Sequence, residues 1–491
     1  MSLARGRGSC RPLRLASSHI TLDPRLASIA ILTLRASPSS RRLIHSSERR
    51  TNTLAESHIP LPDPLPPNMG SSSRSAPLGV LSLTMILRSL ATTIVSSSPI
   101  LLPPSLRIMG LLANSSNPLL NPDKNPLLRL FLKKTFYAQF CAGENAPEVR
   151  ETIANLKQIG FTGVILCYAK EVVLSKEQAA NLGVGQETED AVKNEILPWA
   201  EGTLETVRLV HPGDYVALKF TGAGSVALAQ LKARQGATPT LHKAIDDICK
   251  LAQDRGVRLL FDAEQDMLQD GIDDWTLEFS RKYNRDTKDP VIYGTYQAYK
   301  KGAPEILSNH LALAQKEDFS LGVKLVRGAY LGSDPRHLFH DTKEDTDKCY
   351  DALAASVLKR QWTSAVKGEG EYPAASLMIA SHNAESVRQA RAICDAGAAK
   401  SDVSFAQLQG MADEVSCELV EAGQVAREEK GDKAPALPAY KYLVWGTTGE
   451  CMKYLLRRAQ ENKDAVQRTR DSRDAMWGEL VRRCKSVVGL A

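Results

Sequence analysis

Residues 257–264 read Val257-Arg258-Leu259-Leu260-Phe261-Asp262-Ala263-Glu264. A short apolar run ends in two carboxylates. Helical patterns flank it, His242–Arg255 before and Gly271–Tyr283 after. A strand between two helices is the repeating unit of a parallel sheet. The same rhythm continues outward in both directions. Strands are expected at Thr162–Tyr168, Asp214–Phe220, Val257–Asp262, Val291–Gln297, Gly322–Arg327, Ser376–His382, Val403–Gln409 and Lys441–Trp445. Further helices are expected at Val226–Arg234, Pro304–Glu317, Ala384–Ala396 and Ala412–Lys430. Eight strands in this alternation predict an α/β fold, a (β/α)8 TIM-like barrel. An open doubly wound sheet is the rival, and it would want a Gly-rich phosphate loop after its first strand. Thr221-Gly222-Ala223-Gly224 follows the second strand, is too short and lacks a third glycine.

The rest of the chain is read around this unit. Its 491 residues are 43% hydrophobic and 24% charged, enough for one large barrel with extensions. The formal charge of +6 is misleading. The first fifty residues hold ten arginines against Asp23 and Glu48, so the positive excess belongs to that segment. It is Arg-rich, Ser-rich and poor in acids, as mitochondrial transit peptides are. A nucleic-acid partner is therefore not expected. Nine scattered cysteines without a CxxC pair argue against disulfides and against a metal site. Residues 1–50 read as transit peptide, 51–77 as disordered linker, 78–158 as a helical N-terminal region, 159–475 as the barrel and 476–491 as a C-terminal tail. The apolar stretch Leu78–Leu112 is interrupted by Arg88, Ser96-Ser97-Ser98, Pro99, Pro103 and Pro104, so no run of about 20 apolar residues survives. Two helical pieces are expected there, packed on the protein or lying on a membrane surface.

Catalytic groups of such barrels sit at the C-terminal ends of the strands. In order those ends carry Cys167, Tyr168 and Glu171; Lys219; Asp262 and Glu264; Gln297 and Tyr299; Lys324, Arg327 and Tyr330; Ser381, His382 and Asn383; Gln407 and Gln409; and Tyr442. Each alone has a structural explanation. Asp262 and Asn383 fit helix caps, Gly328 a turn, and Lys219 a solvated strand end. Together they would converge on one mouth. Lys219 and Asp262 lie on neighbouring strands, where the carboxylate would hold the ammonium.

After Tyr442 a helix is expected from Glu450 to about Asn462. Tyr454, Arg457, Arg458 and Glu461 stand in i, i+3, i+4, i+7 relation on it. In water the two arginines are ordinary charges. Folded over the mouth they could share one small carboxylate through their guanidinium forks, with Glu461 holding Arg457.

With these residues the chain resembles the proline dehydrogenases, flavoenzymes with a distorted (β/α)8 barrel, an N-terminal helical extension and a final helix over the barrel mouth. The resemblance spans most of residues 80–475. It rests on Phe136–Glu144, Phe261–Gln265, Tyr296–Tyr299, Lys324–Tyr330, Ser381–Asn383, Phe405–Met411 and Tyr454–Asn462. It implies FAD-dependent oxidation of L-proline to Δ1-pyrroline-5-carboxylate, by hydride transfer from C5 to the flavin. Electrons would pass to ubiquinone, with the protein peripheral on the matrix side of the mitochondrial inner membrane. Arg457, Arg458 and Lys219 would hold the substrate carboxylate, Tyr442 would pack on the ring and Tyr330 would line the pocket. Asp262, Glu461 and Tyr454 would support them. Gln297, Lys324, Arg327, Gly328, Ala329, His382 and Asn383 would hold FAD. The family commonly has an aspartate where this chain has Cys167, four residues before Glu171. A hydroxyproline-preferring enzyme, a Schiff-base aldolase using Lys219 and a catalytically impaired, membrane-associated interaction protein are the alternatives.

Overall fold

The computed structural model describes residues 76–170, 172, 186–285, 289–430, 437–461 and 466–489. The expected leader, the linker as far as residue 75, Glu171 and Asn462 lie outside these. Nine strands form: β1 Cys141–Gly143, β2 Gly163–Tyr168, β3 Tyr215–Leu218, β4 Arg258–Phe261, β5 Ile292–Gln297, β6 Leu321–Val326, β7 Ala375–Ala380, β8 Asp402–Leu408 and β9 Ala439–Trp445. Strands β2 to β9 pair in sequence order, all parallel, and β9 returns to β2 to close an eight-stranded barrel. These are the eight strands expected, each shifted by no more than two residues at its start or end. β1 was not expected. β8 pairs with residues 439–442 of β9 and β1 with 444–445, so β1 takes over the edge where β8 ends.

Strand alternation sorts the side chains. Ile165, Cys167, Tyr215, Ala217, Leu260, Tyr293, Met378, Ala406, Tyr440 and Tyr442 share one buried cluster inside the barrel. Val164, Leu166, Val216, Leu259, Phe261, Val323 and Leu325 belong to the larger cluster beneath the helices. Strands buried on both faces read as continuous apolar runs, which is why they stood out in the sequence.

Ala146–Ile159 falls in the expected helical N-terminal region, while three long helices were not named from the sequence: Leu197–Leu209, Lys343–Lys359 and Val466–Val487. Lys343–Lys359 starts in an acidic stretch. Thr342 caps it through its hydroxyl, which accepts from the Asp345 N–H at 3.1 Å, and its packed face begins only at Tyr350. Val466–Val487 runs straight through the expected boundary at 475/476. Met476 packs with Leu78, Leu81, Ile86 and Leu90, so the last helix lies on the first.

The apolar N-terminal stretch is two helices, Leu83–Ser97 and Leu102–Asn114, meeting at 108°. No single helix among the described residues is long and apolar enough to cross a membrane.

Candidate active site

The barrel mouth gathers its charge around one carboxylate. Asp262 stands one residue past β4, and its N–H donates to Leu218 O on β3 at 3.1 Å. Its Oδ1 accepts a short hydrogen bond from Lys324 Nζ of β6. Its Oδ2 lies 3.5 Å from Lys219 Nζ and accepts from the Tyr442 hydroxyl of β9 at 2.9 Å. All four residues are buried. Burial pushes the Asp262 carboxyl up, but Lys324 and Lys219, with the Tyr442 hydroxyl, outweigh it and hold the group below the usual carboxylate range. Burial and then the Asp262 charge push the Tyr442 phenol well up, so it remains a donor. Lys324 Nζ also sits 5.2 Å from the centre of the Tyr442 ring. The sequence expectation paired Asp262 with Lys219 alone; the carboxylate in fact bridges two lysines. Two ammonium groups share one carboxylate, leaving a net positive charge in a dry place.

A second chain of bonds runs from β5. Gln297 Oε1 accepts from Tyr299 OH at 3.1 Å, and that oxygen accepts the Tyr330 N–H at 3.2 Å. Gly328 makes this possible. Its φ is +141°, and a Cβ there would stand 2.2 Å from the Tyr299 ring. Ala329 follows it and is half-buried.

The third group is built on Arg327. Its Nε and Nη2 donate to Asp347 Oδ1 at 3.0 and 2.7 Å, Nη1 donates to Ser381 Oγ at 2.6 Å, and Nη2 donates to Ser386 Oγ at 2.8 Å. The guanidinium lies 4.4 Å from the Tyr350 ring centre. Asp347 was assigned no role from the sequence. It acts through a helix whose place in the fold the sequence did not reveal. Asn383 caps the Ala384–Asp395 helix, its Oδ1 accepting from Glu385 N and Ser386 N at 3.0 and 3.3 Å. Its amide also reaches Asp347 at 3.3 Å. His382 Nε2 accepts the Leu408 N–H at 3.0 Å, which places the ring proton on Nδ1.

The helix after β9 runs Thr448–Glu461. Tyr454 lies in the same buried cluster as Tyr442, tying this helix to the barrel interior. Arg458 sits 5.4 Å from the Tyr454 ring centre, and its side chain is only 14% exposed. Its Nη1 pairs with Glu461 Oε2 at 2.8 Å. The sequence expectation gave Glu461 to Arg457; Glu461 also pairs with Arg458, three residues before it on the same face. Arg457 is half-buried on the same turn. Cys167, where the family commonly has an acid, is buried on β2 with its Sγ 3.4 Å from Tyr168 O.

Comparison with known proteins adds to this geometry. The profile described as Proline dehydrogenase matches residues 149–471. The "Probable proline dehydrogenase, mitochondrial" of Schizosaccharomyces pombe is 28% identical over 404 residues, covering 72% of this chain and 80% of that protein. A "Hydroxyproline dehydrogenase" of Bos taurus is 28% identical over 392 residues, covering 72% and 81%. The crystal structure of proline utilization A from Bdellovibrio bacteriovorus, inactivated by N-propargylglycine, shares the fold. Its TM-score is 0.56 at 16% identity, over 80% of this chain and 40% of that one.

Proposed function

This chain belongs to the proline dehydrogenase family, and on that premise we propose that it oxidises L-proline to Δ1-pyrroline-5-carboxylate using FAD. The observation that carries the reading is the buried Lys219–Asp262–Lys324–Tyr442 cluster, a net positive mouth next to a helix bearing Arg457 and Arg458. Such a mouth suits an anionic cofactor and a carboxylate substrate. Gln297, Lys324, Arg327, Gly328, Ala329, His382 and Asn383 would hold FAD, which supplies the hydride acceptor when bound. Arg457, Arg458 and Lys219 orient the substrate by its carboxylate. The Tyr442 ring packs against the pyrrolidine carbons, and Tyr330 closes the pocket. Tyr454 and Glu461 hold Arg458 in place, and Asp262 holds both lysines. The concentration of cations also lowers the pKa of the substrate amine, favouring the neutral form that can lose hydride from C5.

The match to the proline dehydrogenase family speaks against the aldolase alternative. Hydroxyproline stays as the second reading because a relative carries that name.

Electrons pass to ubiquinone on the matrix side of the mitochondrial inner membrane, and residues 78–131 supply the contact. Ile100 is 81% and Leu127 78% exposed, with Ile108, Leu111, Leu119 and Phe131 also outward. Residues 76–134 contain one acid, Asp123, against Arg88, Arg107, Lys124, Arg129, Lys133 and Lys134. Apolar side chains among basic ones suit an anionic lipid surface.

The test is the absorbance of the purified protein. Flavin bands bleached by L-proline are expected, with slower bleaching by hydroxyproline. A colourless protein, or flavin bands indifferent to L-proline, overturns the reading.

A further inference from the structure

The first turn of the Thr448–Glu461 helix is held from far away in the chain. A helix start leaves four N–H groups without intrahelical partners. Two are served locally by a capping box: Glu450 N donates to Thr447 Oγ1 at 3.2 Å, and Thr447 N donates to Glu450 Oε2 at 3.0 Å. The other two go to carboxylates from the N-terminal region. Glu144 Oε1 accepts from Thr448 N at 2.9 Å and from the Thr448 hydroxyl at 2.6 Å. Asp123 Oδ1 accepts from Gly449 N at 2.8 Å. Gly449 is needed for that approach, because a Cβ there would lie 2.2 Å from Asp123 Oδ2.

Three further contacts make the grip firm. Lys133 bridges Glu144 and Glu148 at 2.8 and 2.6 Å. The Tyr137 hydroxyl donates to Gly446 O at 2.9 Å, fixing the turn before the helix. Below, Met452 packs with Ala113 and Leu132. A cleft of about 460 Å³ opens beside this junction, lined by Asp123, Arg129, Lys133, Glu144, Glu148 and Thr447. Asp123, Lys133, Tyr137 and Glu144 all precede the family match at 149–471.

We propose that Glu144, assisted by Asp123 and Tyr137, is a positioning group for the arginine helix and sets where Arg457 and Arg458 meet the substrate carboxylate. The inference rests on the reading of L-proline as substrate. The two arginines lie about ten residues beyond the gripped turn, or roughly 15 Å along the helix axis. A tilt of about 5° at the grip therefore moves a guanidinium by about 1 Å, enough to break the bidentate geometry of an arginine–carboxylate pair. The residues holding the lysines and the cofactor groups are on other strands and stay where they are. Loosening the grip thus weakens carboxylate binding and spares the reaction of substrate once bound.

The test uses the full-length flavin-loaded protein and Glu144→Gln, Glu144→Ala and Lys133→Met. The measurements are KM and kcat for L-proline, the inhibition constant of cyclopentanecarboxylate, and amide hydrogen exchange in residues 448–458. Glu144→Ala is expected to raise KM and the inhibition constant about tenfold each, with kcat changed less than about threefold. Exchange in residues 448–458 should rise while flavin content stays the same. Glu144→Gln and Lys133→Met should act in the same direction and more weakly, and they carry the test if Glu144→Ala does not fold. A fall in kcat and melting temperature with both carboxylate constants unchanged overturns the proposal, as does unaltered exchange in residues 448–458. A wild-type protein inert to L-proline would undo the functional reading instead, and the exchange rates would still decide whether the grip exists.

Discussion

Asp262 receives bonds or charge from residues on three other strands, so its removal is felt by all of them. Asp262→Asn would leave two buried ammonium groups without their carboxylate. Breaking a buried ion pair from one side costs about 3–5 kcal/mol. The expected outcome is a lower melting temperature and loss of proline-dependent bleaching; an active variant of unchanged stability would contradict the bridging role. Arg458 works differently. It sits on the helix after β9, against Tyr454 and paired with Glu461. Arg458→Met should raise KM for L-proline on the order of a hundredfold, the scale of a lost charge-assisted pair, with flavin content unchanged. Flavin loss in that variant would move Arg458 from substrate to cofactor. At this scale the sequence was legible for Lys219, Asp262, Lys324 and Tyr442, because charged or polar groups ended apolar strands. It was not legible for Asp347, Glu144 or Asp123. Glu144 ends the Phe136–Glu144 stretch that carries the resemblance, yet the partners of all three lie elsewhere in the chain and no local pattern reveals them.

Among the elements, the Ala303–Glu317 helix carries a titrating group that reports on its packing. His310 Nδ1 lies 2.9 Å from the Tyr296 hydroxyl. Burial pushes the His310 pKa down, Asp274 opposes this, Arg281 adds to it, and the result is about 4. The fold therefore prefers neutral His310. The unfolded value is about 6.5, so this contribution is complete above about pH 6.5 and is lost as pH falls through about 4. His310 is half-buried, and the discounted effect is roughly 1–2 kcal/mol. His310→Gln should flatten the fall in melting temperature between about pH 6.5 and 4; an unchanged profile would remove His310 as the cause. Elements with continuous apolar runs or a clear helical stripe were read correctly from the sequence. The Lys343–Lys359 helix was not, because its first turns are charged and its apolar face starts late. β1 is only three residues long, too short for a pattern, and exists because β8 stops short on β9.

For the whole molecule, the N-terminal region serves two surfaces at once. The Leu102–Asn114 helix sets Ala113 against Met452 on its inner side and exposes Ile108 and Leu111 on the outer. Replacing outward residues should cut the proposed membrane contact and leave the barrel intact. The double variant Ile100→Glu with Leu127→Glu is expected to reduce sedimentation with vesicles containing anionic lipid by about tenfold or more, with unchanged bleaching by L-proline. Equal sedimentation of variant and parent would put the lipid contact elsewhere. The last helix, Val466–Val487, closes the molecule by lying on Leu83–Ser97, which joins the two ends of the described chain.

The sequence by itself determined the barrel and the positions of its polar strand ends, since both follow from short-range patterns: apolar runs, helical spacing, and charge where a strand stops. Only the tertiary structure decided the partners. Asp262 bridges two lysines because the closed sheet brings β3, β4, β6 and β9 around one mouth. Arg458 is sheltered because Tyr454 joins the cluster under it, and the arginine helix takes its position from carboxylates more than 300 residues earlier. Charge pairing depends on distance through space, and chain order does not record that distance.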